Sequence, residues 1–218
     1  YFFSVFMLSK LRPIIKPFVE SVARILANFG LSPNFFSFLA IPLAVISAYF
    51  IVHQIFLFAF LFGLVAVSID LFDGTLARLQ GKVSLFGNYF ETMVDKVVEV
   101  VLFVACAFLY PVAAVLALGF SMLVSYAKPR VALVILTDNR DWPGVGEHSE
   151  RMLLLVLGIL FSYFGLTFLT FSALEFSLWL IAVLSFIGFV QRMFFAKSLI
   201  EEAEKKGNIL PYLKKQKK

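Results

Sequence analysis

Asp70, Asp73, Glu91 and Asp95 fall in the stretch IDLFDGTLARLQGKVSLFGNYFETMVD, residues 69–95, between segments that otherwise read as membrane helix. An ionised carboxylate at the centre of a bilayer costs roughly 2.5–3.5 kcal/mol, so four of them here need a chemical reason. Asp70 and Asp73 are three apart, Glu91 and Asp95 four apart, and both spacings put side chains on one face of a helix. A short turn containing Gly81 makes the two helices antiparallel neighbours, so the four carboxylates converge. Anions gathered at low dielectric repel strongly. Hard divalent cations relieve that repulsion, and Mg²⁺ prefers oxygen ligands while keeping positions open for water or phosphate. A pair of such ions binds a pyrophosphate, activates a nucleophile and stabilises a leaving phosphate.

Neighbouring residues fit the same chemistry. A glycine inside a helix costs about 1 kcal/mol relative to alanine, and Gly74 and Gly87 repay it where a ligand approaches the backbone. Ala77 is small on the face shared by Asp70, Asp73 and Gly74, and Arg78 supplies a forked donor for phosphate. The competing reading is a set of ion pairs with Arg78, Lys82 and Lys96 at a wet membrane edge. The regular spacing of the whole set favours the metal site.

The elements that must hold these residues are membrane helices. The chain of 218 residues is 61% hydrophobic and 15% charged, with 28 Phe and a mean hydropathy of +0.93, whereas a soluble domain is near half apolar and about a quarter charged. A hydrocarbon core of ~30 Å takes about twenty apolar residues. Spans are predicted at about 35–54, 55–78, 85–109, 111–137, 151–171 and 174–197, giving an all-α integral membrane protein with six transmembrane helices. Before them, residues 7–30 mix Lys10, Arg12, Lys16 and Arg24 with Ile, Leu, Val and Phe in the pattern of an amphipathic interfacial helix. Gly30 to Asn34 ("GLSPN") ends it and turns the chain into the first span. Residues 31–200 then form the six-helix domain and 201–218 a basic tail. Residues 1–6, ahead of Met7, are set aside as an expression remnant or a truncation.

Charge sets the expected orientation. All 19 Lys and Arg lie in the N-terminal helix, in 78–96, in 128–151 or in 192–218, and the connections at 52–54, 110–113 and 171–176 carry none. Basic loops stay cytoplasmic, which places both termini and the carboxylates on the cytoplasmic side of the cell membrane. The net charge of +5 is thereby a matter of topology rather than of nucleic acid binding. Lys214, Lys215, Lys217 and Lys218 favour anionic headgroups. Cys106 is the only cysteine, which excludes an intrachain disulfide and a Cys-based metal site.

Asp70-x2-Asp73-Gly74-x2-Ala77-Arg78-x8-Gly87-x3-Glu91-x3-Asp95 closely resembles the signature of the CDP-alcohol phosphotransferase family, integral membrane enzymes that join a CDP-linked donor to an alcohol and release CMP. The resemblance implies that Asp70, Asp73, Glu91 and Asp95 hold two Mg²⁺ or Mn²⁺ ions, with Asp95 also the general base toward the acceptor hydroxyl. It implies that Pro33, Asn34, Asp70, Asp73, Gly74, Ala77, Arg78, Ser84 and Gly87 contact the CDP moiety, and that the protein is a homodimer. One position departs: the family's third acidic residue is usually Asp, and here it is Glu91, which reaches one methylene further and puts the same metal geometry in doubt.

Lys128 and Arg130 late in the fourth span, Arg151 at the start of the fifth and Arg192 in the sixth are basic residues at membrane depth, where they face a cavity or a partner or snorkel to the interface. Facing one cavity, they suit an acceptor that itself carries a phosphate. The run SY-x-K-x-R followed by G-x-x-x-E-R resembles the branch that transfers to inositol phosphate. Glycerol phosphate is the nearest competitor, and serine or an amino alcohol needs fewer cations. Pro129 between Lys128 and Arg130 removes a backbone bond from that span. His53 reads as an interfacial residue and His148 as a loop residue near substrate. A cation transporter and an inactive homologue are the readings from other classes. The first lacks interrupted helices in two symmetric halves, and Glu91 is the only support for the second.

Overall fold

The structure, a computed structural model, describes residues 8–136, 142 and 144–210. Residues 1–6, the side chains of Lys10 and Arg12, and Lys214, Lys215, Lys217 and Lys218 of the basic tail lie outside the described residues. The elements run α1 (Leu8–Asn28), α2 (Pro33–Phe38), α3 (Ala40–Val52), α4 (Phe56–Leu79), α5 (Leu85–Ala107), α6 (Pro111–Ala132), α7 (His148–Tyr163), β1 (Thr167–Phe168), β2 (Phe171–Ser172) and α8 (Ala173–Lys206).

The first predicted span is two helices. Ser32 caps α2 by accepting from the Phe35 N–H at 3.3 Å, and Pro33 occupies the first turn, where a missing N–H costs nothing. The helix breaks at Leu39 because Pro42 offers no N–H to the Phe38 carbonyl and its ring crowds that oxygen. Pro33–Val52 together still make a 20-residue apolar unit, and with Phe56–Leu79, Pro111–Ala132 and Ala173–Lys206 they are the four candidate spans among the described residues. α5 is long enough but carries Glu91, Asp95, Lys96 and Glu99. α7 has 16 residues, about 24 Å at 1.5 Å per residue.

That short α7 differs from the predicted 151–171 span. Hydropathy continues through FSYFGLTFLTF, but Gly165 adopts φ +67°, a left-handed conformation that ends helices. The chain then makes the two-residue hairpin of β1 and β2, with Thr167 opposite Ser172. The last helix runs further than expected, 34 residues to Lys206, and stops at Gly207 with φ +70°.

Packing rests on small residues. Ala40, Ala44, Ala59, Ala66, Ala105, Ala113, Ala114 and Ala117 are buried with Leu102, Phe103, Leu155, Ile159, Leu178 and Ile181. Such residues let helix backbones approach closely: a Cβ on Gly158 would stand 2.0 Å from Ser177 Oγ. α3 packs on α4 and α5, α8 on α6 and α7, and α1 and α2 on α4. Phe18 of α1 meets Phe72 of α4 edge-on, with ring centroids 6.4 Å apart. Beyond α8, Ile209 pairs with Ile135, and Val131, Ile135, Trp142, Ala196 and Ala203 form a second cluster there.

Candidate metal and pyrophosphate site

The end of α4 and the start of α5 carry the acidic residues. Gly81 at φ +63° reverses the chain, the Lys82 N–H returning to the Ala77 carbonyl at 2.9 Å. Ser84 then caps α5 by accepting from the Gly87 N–H at 2.9 Å. The result is the antiparallel pair expected from the sequence. Asp70, Asp73 and Glu91 each bring a carboxylate oxygen within 4.8 Å of the others. Asp95, one turn further along α5, is partly buried and stands outside that trio.

Asp73 is the most constrained of the three, only 2% exposed. Its Oδ2 accepts from Ser37 Oγ at 2.6 Å and its Oδ1 from the Gly74 N–H at 2.7 Å. The Pro33 carbonyl, 3.1 Å from Ser37 Oγ, shares that single proton, and the shorter bond to Asp73 fastens α2 to the acidic end of α4. At an effective dielectric of ~20, two unit charges 4.8 Å apart repel by about 3.5 kcal/mol. A donor set made only of carboxylate oxygens held this closely is the ligand chemistry of a hard divalent cation.

A polar cavity opens beside the trio. Pro33, Asn34, Asp73, Gly74, Ala77, Arg78, Ser84 and Gly87, all expected at the CDP moiety, line it. Asp70, expected with them, is absent from the lining, whereas Ser37, Lys82, Val83, Asn88 and Glu91 belong to it. Arg78 is held by a 2.8 Å bond from Nη2 to Thr75 Oγ1. A Cβ on Gly74 would lie 3.6 Å from Arg78 Nη1 and 3.8 Å from Glu91 Oε1. That is ordinary contact, so the protein's own packing does not demand a glycine there, and the bare backbone lines the cavity.

The four expected acceptor-side cations differ in setting. Lys128 and Arg130 are exposed at the end of α6, which continues through Pro129 to Ala132. Arg192 is partly buried, giving Nη1–H to the Val124 carbonyl at 2.8 Å and pairing with Glu147 at 3.5 Å. Arg151 is 1% exposed. It donates from Nε to Glu99 Oε1 at 2.8 Å and also to the Gly146 carbonyl. Glu99 further receives Lys96 Nζ at 2.6 Å and His148 Nδ1 at 3.1 Å.

Ser37 and Glu99 are the residues that sequence reasoning missed. Glu99 had a signal, since it continues the four-residue rhythm of Glu91 and Asp95 along one face. Ser37 sits among phenylalanines in PNFFSF with nothing local to mark it.

Apolar helices that bring a carboxylate trio and a polar cavity to one end of a bundle define a membrane enzyme of phosphate chemistry. A family model described as CDP-alcohol phosphatidyltransferase matches residues 30–190, and the chain belongs to that family, whose members are metal-dependent transferases. It is 29% identical over 199 residues to the archaetidylinositol phosphate synthase of Pyrococcus horikoshii, covering 89% of this chain and 99% of that protein. It is similar to the crystal structure of Mycobacterium tuberculosis phosphatidylinositol phosphate synthase with CDP-DAG bound, with a TM-score of 0.69, 26% identity and coverage of 82% of this chain and 92% of that one. The same Mycobacterium tuberculosis enzyme in complex with manganese and citrate gives a TM-score of 0.70 at 25% identity, over 82% and 88% of the two chains.

Proposed function

We propose that this protein transfers the phosphatidyl-type group of a CDP-linked lipid to inositol phosphate and releases CMP. The observation that carries the reading is the convergence of Asp70, Asp73 and Glu91 within 4.8 Å beside a cavity that Gly74, Arg78 and Asn34 line. Relatives named for inositol phosphate products support the choice of acceptor, and so does the basic character of the α6, α7 and α8 ends.

Asp70, Asp73 and Glu91, with Asp95 on the next turn, would hold divalent metal, two Mg²⁺ ions with Mn²⁺ as a substitute. Bound there, such ions would offset the charge of the pyrophosphate and make CMP a better leaving group. Arg78 and the bare backbone at Gly74 orient the CDP phosphates, while Ser37 keeps the Asp73 carboxylate aimed. Asp95 takes the proton of the acceptor hydroxyl. The new bond joins that oxygen to the β-phosphorus, the bond from the β-phosphorus to the bridging oxygen breaks, and CMP leaves with its electrons. Lys128, Arg130, Arg151 and Arg192 make up the cationic side that takes the acceptor's phosphate.

The finer architecture belongs to the same proposal. α5 and α7 join the four long apolar units as spans, making six, and α1 lies along the interface. The basic connections put the termini and the site on the cytoplasmic side of the cell membrane, and the working unit is a homodimer. Residues 31–200 form the transferase domain between the interfacial helix and the basic tail.

The test is CMP release by purified protein with CDP-diacylglycerol or its diether analogue, across inositol phosphate, glycerol phosphate, inositol and serine. Metal-dependent release with inositol phosphate is the expected result. Release with glycerol phosphate alone reassigns the acceptor, and silence with every acceptor overturns the reading.

A further inference from the structure

The transfer chemistry gives Glu99 no role. Glu99 is fully buried, yet one carboxylate gathers three donors from two helices. Lys96, one turn back on α5, reaches Oε2 at 2.6 Å. From α7, His148 Nδ1 reaches the same oxygen at 3.1 Å and Arg151 Nε reaches Oε1 at 2.8 Å. A buried charge needs such partners, but the network extends past charge balance. Arg151 also bonds the Gly146 carbonyl, and Gly146 sits at φ +74° in the turn before α7.

That turn is fastened to α8 as well. The Val145 N–H donates to Gln191 Oε1 at 3.2 Å. The Val145 carbonyl oxygen lies 2.0 Å from where a Cβ on Gly188 would stand, and Glu147 pairs with Arg192 at 3.5 Å. Arg192 Nε is meanwhile buried without a hydrogen-bond partner among the described residues. A continuous set of contacts thus runs from the acidic face of α5, through Glu99, Arg151 and the 144–147 turn, to Arg192 of α8.

We propose that Glu99 is a positioning residue for the acceptor's phosphate: it touches no substrate but holds Arg151, Lys96 and the 144–147 turn, and through that turn Arg192, in the arrangement the phosphate binds. The inference rests on the reading that the cationic side receives a phosphorylated acceptor. The CDP cavity is lined by α2, α4, the turn between α4 and α5 and the start of α5, and Lys96, Glu99, His148 and Arg151 are not part of that lining. Disturbing Glu99 therefore separates the two substrates kinetically, which general loosening of the fold does not.

The experiment is steady-state CMP release by the full-length protein carrying Glu99→Gln, alongside thermal unfolding of the same preparation. The expected result is a KM for inositol phosphate raised about tenfold or more. The KM for CDP-diacylglycerol and the kcat at saturating acceptor stay within about twofold. Where Glu99→Gln does not fold, Glu99→Asp, which keeps the charge and withdraws it by one methylene, is read against the same thresholds. An unchanged acceptor KM overturns the proposal, and so does a parallel rise of both KM values, because it marks Glu99 as a folding element only. Failure of both variants to fold has the same meaning. No release by the wild-type protein overturns the functional reading as well, so the two failures are told apart by the wild-type control.

Discussion

Replacing Asp73 by asparagine separates the metal role of the site from its structural role. Asp73 accepts two hydrogen bonds, from Ser37 Oγ and from the Gly74 N–H. Asparagine keeps an acceptor for Gly74, while its amide donates to Ser37 Oγ, whose hydroxyl proton then turns wholly to the Pro33 carbonyl. The bonding pattern inverts without leaving a buried group unpaired, at a cost of about 1 kcal/mol for the lost charge assistance. Against this, repulsion from Asp70 and Glu91 is relieved. Both neighbours are only partly buried, so the about 3.5 kcal/mol per pair available at a dielectric of ~20 shrinks under water screening to about 1–2 kcal/mol in total. The metal-free variant should therefore unfold within about 4 °C of the metal-free wild type, since 1 kcal/mol moves Tm by about 2–4 °C at this chain length. Metal response is where the two part. Mg²⁺ at about 100 times its Kd stabilises the folded state by about 2.7 kcal/mol, a rise of about 5–10 °C. The wild type should show that rise and Asp73→Asn should lack it, with CMP release down more than about 100-fold. The assay is thermal unfolding in detergent with EDTA or Mg²⁺, paired with CMP release. A variant that unfolds more than about 10 °C lower without metal, yet keeps the full Mg²⁺ shift, refutes both the bonding and the metal assignment.

Three further outcomes follow from the same geometry. Asp95→Asn should abolish transfer while CDP-lipid binding by calorimetry stays partly intact, and full turnover in that variant removes Asp95 from the base role. Glu91→Asp should retain or raise metal-dependent CMP release, because the shorter side chain keeps two oxygens at the same place in the helix; unchanged turnover with all metal dependence lost means that Glu91 is no ligand. Gly74→Ala should raise the unfolding temperature slightly, as alanine is favoured in a helix by about 1 kcal/mol and its methyl meets only ordinary contacts at 3.6–3.9 Å. Its KM for the CDP-lipid should rise at the same time, and an unchanged KM shows that no ligand approaches that backbone.

Much of the site was legible in the sequence because its relations are local. The pairing of Asp70 with Asp73 and of Glu91 with Asp95 is written in the period of a helix. The reversal at Gly81 acted as expected, and Pro33 in the first turn of α2 and Ser84 as the cap of α5 are single-residue features of the same local kind. The apolar composition likewise announced a membrane protein, but hydropathy marks length poorly where apolar residues run on past a helix end. Gly165 stopped α7 within such a run, and Pro42 split the first span at Leu39.

What only the tertiary structure decided is which side chains meet across distant helices. Ser37 reaches Asp73 over a sequence separation of 36 residues, and Arg151 reaches Glu99 over 52. Nothing in either neighbourhood encodes these contacts. Arg151 reads in sequence like Lys128 and Arg130, three cations near helix ends, yet it is buried on a carboxylate while they are exposed. In a water-soluble protein the alternation of polar and apolar faces would point to the interior. Here lipid is as apolar as the core, so the outward Phe186 and Phe194 and the inward Leu178 and Ile181 of one helix carry the same sequence signature. The small residues Ser177, Ala182, Ser185 and Gly188 share the inward face with Leu178 and Ile181, and the packing of that face on its neighbours decided which charges came together.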